Sequence, residues 1–259
     1  MFDFGLKLWS TNDNYIDEVI SLYKENIYTY IELYTFPDSY KKYIDLWINL
    51  QSKYKIPFVV HAPHWKEGMN LAQKKHADKN RKLAEETYKF ADKLNADIVI
   101  FHPGIAGNDE ETIRQIKIIY DKRMVIENKP YYALVNDLVC NGNSPKSIEN
   151  IIKNTNVGFC LDIGHAFCAA NALKLDKYTF LNDFIKLNPK IYHLTDGDNK
   201  SFYDKHYHFN DGTYDIPTIL KQIKSVSMIT IETEKNSKNN LDDYKKDIHC
   251  LNNILKEAL

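Results

Sequence analysis

Apolar and polar positions fall in two alternating textures along the chain. Short apolar runs occupy residues 4–8, 30–34, 57–60, 98–101, 124–126, 157–161, 191–192 and 228–231. Between them, apolar residues recur every three or four positions. Ile16, Val19, Ile20 and Tyr23, for example, share one side of a 3.6-residue turn and predict a helix over 14–25. The same reading predicts helices over 40–52, 73–94, 110–121, 145–154, 177–187, 216–224 and 241–258, with Asn108 or Asp109 capping the one that opens near 110. Residues 129–143, 166–175 and 195–215 read as loops. Eight strand-type runs alternating with helices argue for a parallel sheet. That count, at this length, favours an α/β chain closed into a single (β/α)8 TIM barrel over a doubly wound sheet. With no repeat, linker or low-complexity tract, residues 1–259 are expected to form one domain.

Composition adds little beyond exclusions. The 259 residues are 44% hydrophobic and 27% charged, an ordinary globular balance. The formal net charge of −1 supplies no global positive field for nucleic acid or an anionic membrane. No apolar run approaches the ~20 residues that span a bilayer. The opening MFDFGLKLWS lacks the order of a signal peptide and reads as the first strand. Cys140, Cys160, Cys168 and Cys250 have no CxxC spacing, and Cys160 is expected to face the core. All four are expected to be reduced thiols in a cytoplasmic protein.

The chemistry gathers at the strand ends. FVVH ends in His61, IVIFH in His102, MVIE in Glu127, GFCLD in Asp162, IYH in His193 and ITIE in Glu232. Asp, Glu and His make up 44 of the 259 residues, too few to place one at six successive strand ends by composition alone. Barrels of this type carry their active sites at that mouth. His165 follows Asp162 by three residues, in a turn, and Asp204 and His206 lie two apart in the loop over 195–215. Nine candidate metal ligands result, five imidazoles and four carboxylates. This mixture suits zinc, manganese or iron(II), and its lack of thiolate argues against a structural zinc-finger type of site. Nine donors exceed the need of one ion and suit a cluster of two or three, with a carboxylate as bridge.

Other residues are placed near the mouth by the same topology. His64 and Trp65, just past His61, are candidates for stacking or phosphate contact; His208 is a candidate support or lid group. Lys205 and Lys129 could meet an anionic substrate group, and Glu32, Tyr34, Lys7 and Trp9 could line the mouth, with Glu32 as a substrate contact. Tyr131 and Tyr132 could stack on a base or sugar. His76 and His249, on predicted helices, read as surface or packing residues.

The motifs HAP at His61, FHPG at His102, IEN at Glu127, LDIGHAF at Asp162 and His165, HLTD at His193, DKH at Asp204 and His206, and IETE at Glu232 together resemble the xylose-isomerase-like barrel superfamily. Within it they look most like the endonuclease IV branch (AP endonuclease family 2). The resemblance implies a trinuclear zinc-type centre. His61, His102 and Glu127 would hold the first ion. Glu127 would bridge to a second held by Asp162, His193 and Glu232, while His165, Asp204 and His206 would hold the third. It also implies a hydrolase that cleaves a phosphoester.

The departures from that branch lie outside the ligand set. GLKLWSTND stands where the branch opens with a His-Val-Ser-Ala-Gly-Gly-like segment, and HAPHWKEGMNL replaces its Tyr-Leu-Ile-Asn-Leu stretch. Gly164 replaces a Cys, and NKPYYALVNDLVCNG replaces a Thr-Ala-Gly-Gln-Gly loop. The segments that would hold abasic DNA are therefore missing, and a small phosphorylated sugar or nucleotide is the expected substrate. The alternative is a sugar or sugar-phosphate isomerase or epimerase, as in a second branch of the superfamily. It would use one metal, with Glu127 and Glu232 as the catalytic acid–base pair. A third reading is a barrel that binds metal or ligand without turnover.

Overall fold

In a computed structural model, which describes residues 2–134, 137–224 and 227–258, the eight apolar runs form eight parallel strands. They are β1 (Asp3–Trp9), β2 (Tyr30–Tyr34), β3 (Phe58–His61), β4 (Val99–Phe101), β5 (Met124–Glu127), β6 (Gly158–Asp162), β7 (Ile191–Leu194) and β8 (Met228–Ile231). Each pairs with its sequence neighbours and β8 pairs back to β1, so the sheet is a closed barrel. Between them run α1 (Ile16–Lys24), α2 (Tyr40–Tyr54), α3 (Ala77–Lys93), α4 (Asp109–Ile118), α5 (Pro145–Thr155), α6 (Ile163–Leu173), α7 (Lys177–Ile185) and α8 (Ile216–Gln222), and α9 (Asp242–Ala258) closes the chain.

The barrel has two apolar layers with different tasks. Strand residues that point outward, such as Leu6, Ile31, Val60, Phe101 and Leu161, pack under the helices in one continuous core with Trp47, Phe90 and Phe167. Each such side chain contributes about 1.5–3 kcal/mol by leaving water. Residues that point inward form a separate plug: Tyr30, Val59, Ile100, Val125, Cys160 and Ile191. Strand side chains alternate faces, so the residue two positions beyond each plug residue also points inward, one layer nearer the mouth. Those residues are Glu32, His61, His102, Glu127, Asp162 and His193. Gly5 makes room at the floor, since a Cβ there would lie 2.3 Å from the ring of Tyr30.

Two local readings change and one is narrowed. The predicted loop over 166–175 is mostly helix α6, and His165 lies in its first turn rather than in a free turn. Asp162 starts this helix by accepting the His165 backbone N–H at 2.7 Å. The segment escapes periodicity because Ile163 to Ala170 are all buried, leaving no polar face to count. The helix predicted over 73–94 begins as a 3-10 turn, Lys74–His76, before α3. At α4 the cap is Asn108, whose side chain accepts the Glu111 N–H at 2.8 Å.

Candidate metal centre at the barrel mouth

The strand register gathers the predicted donors around Glu127. Its Oε2 lies 3.1 Å from His61 Nε2 and 3.1 Å from His102 Nε2. The same oxygen is 3.4 Å from His193 Nδ1, which also faces Glu232 Oε1 at 2.9 Å and Asp162 Oδ2 at 3.9 Å. The other oxygen, Oε1, is 3.1 Å from His165 Nδ1. His206 Nε2 meets Asp204 Oδ2 at 2.5 Å, and that oxygen lies 3.5 Å from His165 Nε2. The nine residues thus form one connected group with Glu127 as its hub.

Four of the five imidazoles are aimed by what holds their other nitrogen, whereas the buried Nδ1 of His102 has no hydrogen-bond partner. His61 Nδ1 donates to the Ala62 carbonyl at 2.7 Å, His165 Nδ1 to that of Asn128 at 2.9 Å, and His206 Nδ1 to that of Glu232 at 2.6 Å. A carbonyl only accepts, so in each ring Nδ1 carries a proton and Nε2 is the atom turned toward the carboxylates; burial opposes a second proton there, but Asp162 and Asp204 outweigh it and push His165 up to about 9 and His206 up to about 10. His193 is reversed. Its Nε2 donates to Glu32 Oε2 at 2.9 Å, and its buried Nδ1 has no hydrogen-bond partner although carboxylates surround it. Rings pinned from behind in this way are the ordinary surroundings of metal-bound histidines, and a divalent ion would displace the second protons of His165 and His206. The donor set therefore fits a divalent ion. Burial, aided by the Lys7 charge, holds His61 below the usual imidazole value, and burial lowers His102 further, so both rings are neutral and ready to ligate.

The remaining predicted residues divide. Glu32, read as a substrate contact, has no exposed surface and lies behind His193. Burial works against its charge, but His193 and Lys7 hold its carboxyl down at about 2. Lys7 reaches it at 2.6 Å and also contacts Glu232. Thr230 donates to Glu32 Oε2 at 2.6 Å, and Tyr30 is 2.9 Å from Thr230, so a polar column runs from the floor to the centre. Cys160 sits beside Glu127 and His193, but burial pushes its thiol up to about 12, which keeps it protonated. His64 is half-buried near the centre, its ring 5.9 Å from that of His102 and 2.6 Å from Glu67. Tyr34 donates to Glu67 at 2.7 Å, with its ring 5.4 Å from that of His61. Trp65 packs on the small cluster of Ile105, Ala133 and Cys140. Lys205 is exposed, and Trp9 is exposed at the rim against Phe36. Tyr131 and Tyr132 stack edge-on against each other. His208 is drawn to α9 instead, 2.8 Å from Asp247.

Two residues work here without having been singled out, and a third, Lys129, stands closer to the donors than a substrate contact would. Asn128 clamps Asp162 on both sides, accepting its N–H at 2.7 Å and donating to its carbonyl at 2.8 Å, while its own carbonyl aims His165. Asp196 gathers the backbone N–H groups of Gly197, Asn210, Gly212 and Tyr214 and so knots the loop that carries Asp204 and His206. Lys129 Nζ stands among the donors themselves, 3.2 Å from Glu127 Oε1. Burial works against its charge, but Glu127 and Asp162 outweigh it and hold the ammonium above its usual value. The motifs IEN and HLTD contained Asn128 and Asp196, but nothing in a single chain marks them as hinges of hydrogen bonding.

A closed eight-stranded parallel barrel with helices between its strands is a TIM barrel, and here imidazoles and buried carboxylates ring its mouth. The chain belongs to the xylose isomerase-like TIM barrel family, whose family model matches residues 21–254. An uncharacterized protein of Methanocaldococcus jannaschii is 25% identical over 227 residues, covering 82% of this chain and 81% of that protein. An Aquifex aeolicus protein named "Probable endonuclease 4" is 32% identical over 127 residues, 44% of each chain. Among solved structures, a D-tagatose 3-epimerase-like protein superposes with a TM-score of 0.76 at 19% identity, covering 99% of this chain and 98% of that one. At that identity the likeness is one of fold. The resemblance to the superfamily and to endonuclease IV proteins holds, and the superfamily contains both nucleases and epimerases.

Proposed function

We propose that this chain is a divalent-metal-dependent hydrolase of endonuclease IV-like type that cleaves a phosphoester in a small phosphorylated sugar or nucleotide, in the cytoplasm. One observation carries the reading. His61, His165, His193 and His206 each have one nitrogen pinned and the other turned toward Glu127, Asp162, Asp204 or Glu232. That is more imidazole than a single-ion proton-transfer site needs. Bound divalent ions, zinc first among the candidates, would supply charge for the developing phosphoryl and leaving oxygens and an acidified water.

The chain's own residues do the rest. His61, His102 and Glu127 form one compact donor group; Asp162, His193 and Glu232 continue it, with Glu127 as the shared carboxylate. Glu32 and Asn128 keep His193 and Asp162 in place, so the donors need no rearrangement when the ions arrive. Lys129 and Lys7 give the pocket fixed positive charge that favours an anionic substrate. Ordinary abasic DNA fits poorly, since the segments that grip it in the endonuclease IV branch are replaced here.

The test is a turnover screen of the zinc- or manganese-loaded protein against phosphomonoesters, nucleotides and abasic duplex DNA. Release of phosphate, lost in Glu127→Gln and Asp162→Ala, is expected. Interconversion of ketoses and aldoses with deuterium uptake from heavy water, and no phosphate release, would instead establish the isomerase or epimerase reading. The specific observation on that side is that Glu127 and Glu232 both face His193 Nδ1, at 3.4 and 2.9 Å, as an acid–base pair around one ion would.

A further inference from the structure

Lys129 enters the mouth from the loop after β5, two residues past Glu127. We propose that its ammonium takes the place of the third cation, so that this chain loads two divalent ions on nine ligand-type residues. The proposal rests on the metal-dependent reading above and specifies how that centre is filled.

The ammonium already occupies the space that a third ion would need. Lys129 Nζ lies 3.3 Å from His165 Nε2, 3.4 Å from His102 Nε2 and 3.2 Å from Glu127 Oε1. His165 Nε2 is the atom through which His165 would join Asp204 and His206. An ammonium and a dication cannot share the space beside His165 Nε2 and Glu127 Oε1, whereas His102 Nε2 also faces Glu127 Oε2, at 3.1 Å, on the side of His61. Glu127 divides its oxygens the same way: Oε2 faces His61 and His102, while Oε1 faces the ammonium. Among the described residues, compact donor groups form from His61, His102 and Glu127, from Glu127, Asp162 and His165, and from His193 and Glu232 with Glu32; Asp204 and His206 join none of them.

The ammonium is also built in. The side chain is only 13% exposed. Its backbone N–H donates to the Gly142 carbonyl at 3.1 Å, and Pro130 restricts the residue from the other side. The loop beyond is tied by bridges between Tyr132 and Val139 and between Ile105 and Cys140. The charge count agrees. The mouth holds five carboxylates, Glu32, Glu127, Asp162, Asp204 and Glu232, and two ammonium groups, Lys7 against Glu32 and Glu232 and Lys129 against Glu127. Three dications would leave this pocket with three surplus positive charges, whereas two leave one, which a single substrate anion offsets.

The experiment counts ions and does not depend on activity. Wild type, Lys129→Ala, Lys129→Arg and the double variant Lys129→Ala/His206→Ala are loaded with excess zinc, freed of unbound metal and measured by elemental analysis. Anomalous scattering of wild-type crystals locates the ions. Two ions are expected in wild type and Lys129→Arg, three in Lys129→Ala, and two again in the double variant. Three ions in wild type, with density between His165, Asp204 and His206, would overturn the proposal. So would an unchanged or lower count in Lys129→Ala with an intact circular dichroism spectrum. Should Lys129→Ala fail to fold, the wild-type count and anomalous map decide alone. No ion in any form would remove the metal-dependent reading itself.

Discussion

The two halves of the donor set are held by different means. His61, Glu127, Asp162 and His193 lie within strands, and their spacing is the spacing of the ladder: Asp162 is registered beside His193, and Tyr34 beside His61. Asp204 and His206 come from a loop of about twenty residues, and the His206 side chain is 35% exposed against 2% or less for His61, Glu127 and His193. A barrel strand fixes its donors through hydrogen bonds shared with both neighbours. The loop has no ladder and is fixed by scattered side-chain bonds, chiefly the Asp196 carboxylate, with His206 tied to the Glu232 carbonyl and His208 to Asp247. The strand-borne part should therefore be robust to local change, and the loop-borne part separable from it.

Substitutions can break that contrast at either end. Glu127→Gln strikes the hub and is expected to lower phosphoester turnover by about 10^3-fold or more, with loss of at least one ion, measured by initial rates and elemental analysis. Asp196→Ala releases four backbone N–H groups from a buried carboxylate and should cost about 3 kcal/mol in chemical denaturation. If the contrast is sound, His61, His102 and Glu127 still bind metal in that variant; their loss as well would merge the two regions. Glu32→Gln keeps the fold but weakens the hold on His193, so metal affinity should fall about 10–100-fold in a competition titration.

A pH series sharpens the comparison from the other side. In chelated protein, burial opposes the charged form of His165, but the Asp162 carboxylate prevails and pushes the ring up to about 9. A raised folded value means stability that is complete below about pH 6.5 and is lost as pH rises through about 9. Metal-loaded protein should behave oppositely, since binding expels ligand protons and weakens as pH falls. Thermal melts from pH 6 to 10, with and without chelator, should diverge; parallel curves would count against both assignments. The smallest effect is expected for Gly164→Ala. A Cβ there meets Asp204 Oδ1 at 2.8 Å, an atom at the end of a side chain that can yield, so about 0.5 kcal/mol and no loss from the strand-borne donors is anticipated.

The barrel and the strand-end positions of the candidate donors were legible because both follow a period. Alternation along a strand places Val125 in the plug and Glu127 at the mouth, and the same offset relates Ile191 to His193 and Val59 to His61. Helix α6 was not legible, because a wholly buried helix leaves no face to contrast. Nor was the station of Glu32: its distance from solvent depends on Lys7, Thr230 and His193, which come from three other strands. Lys129 was visible as a lysine near a ligand, but its approach to both His102 and His165 depends on how the loop after β5 is tied down.

The contact between Lys7 on the first strand and Glu232 just past the last has a consequence for order of assembly. Ring closure by β1 and β8 brings together the ends of a span of more than two hundred residues, and it is the step that completes the wall behind Glu232. A nascent chain emerging from the ribosome presents His61 and His102 long before Glu232. Metal captured early would be held by half a site, whereas the finished cage forms only once the ring is shut. Under the metal-dependent reading, tight metal retention would report that synthesis through β8 has ended and the barrel has closed.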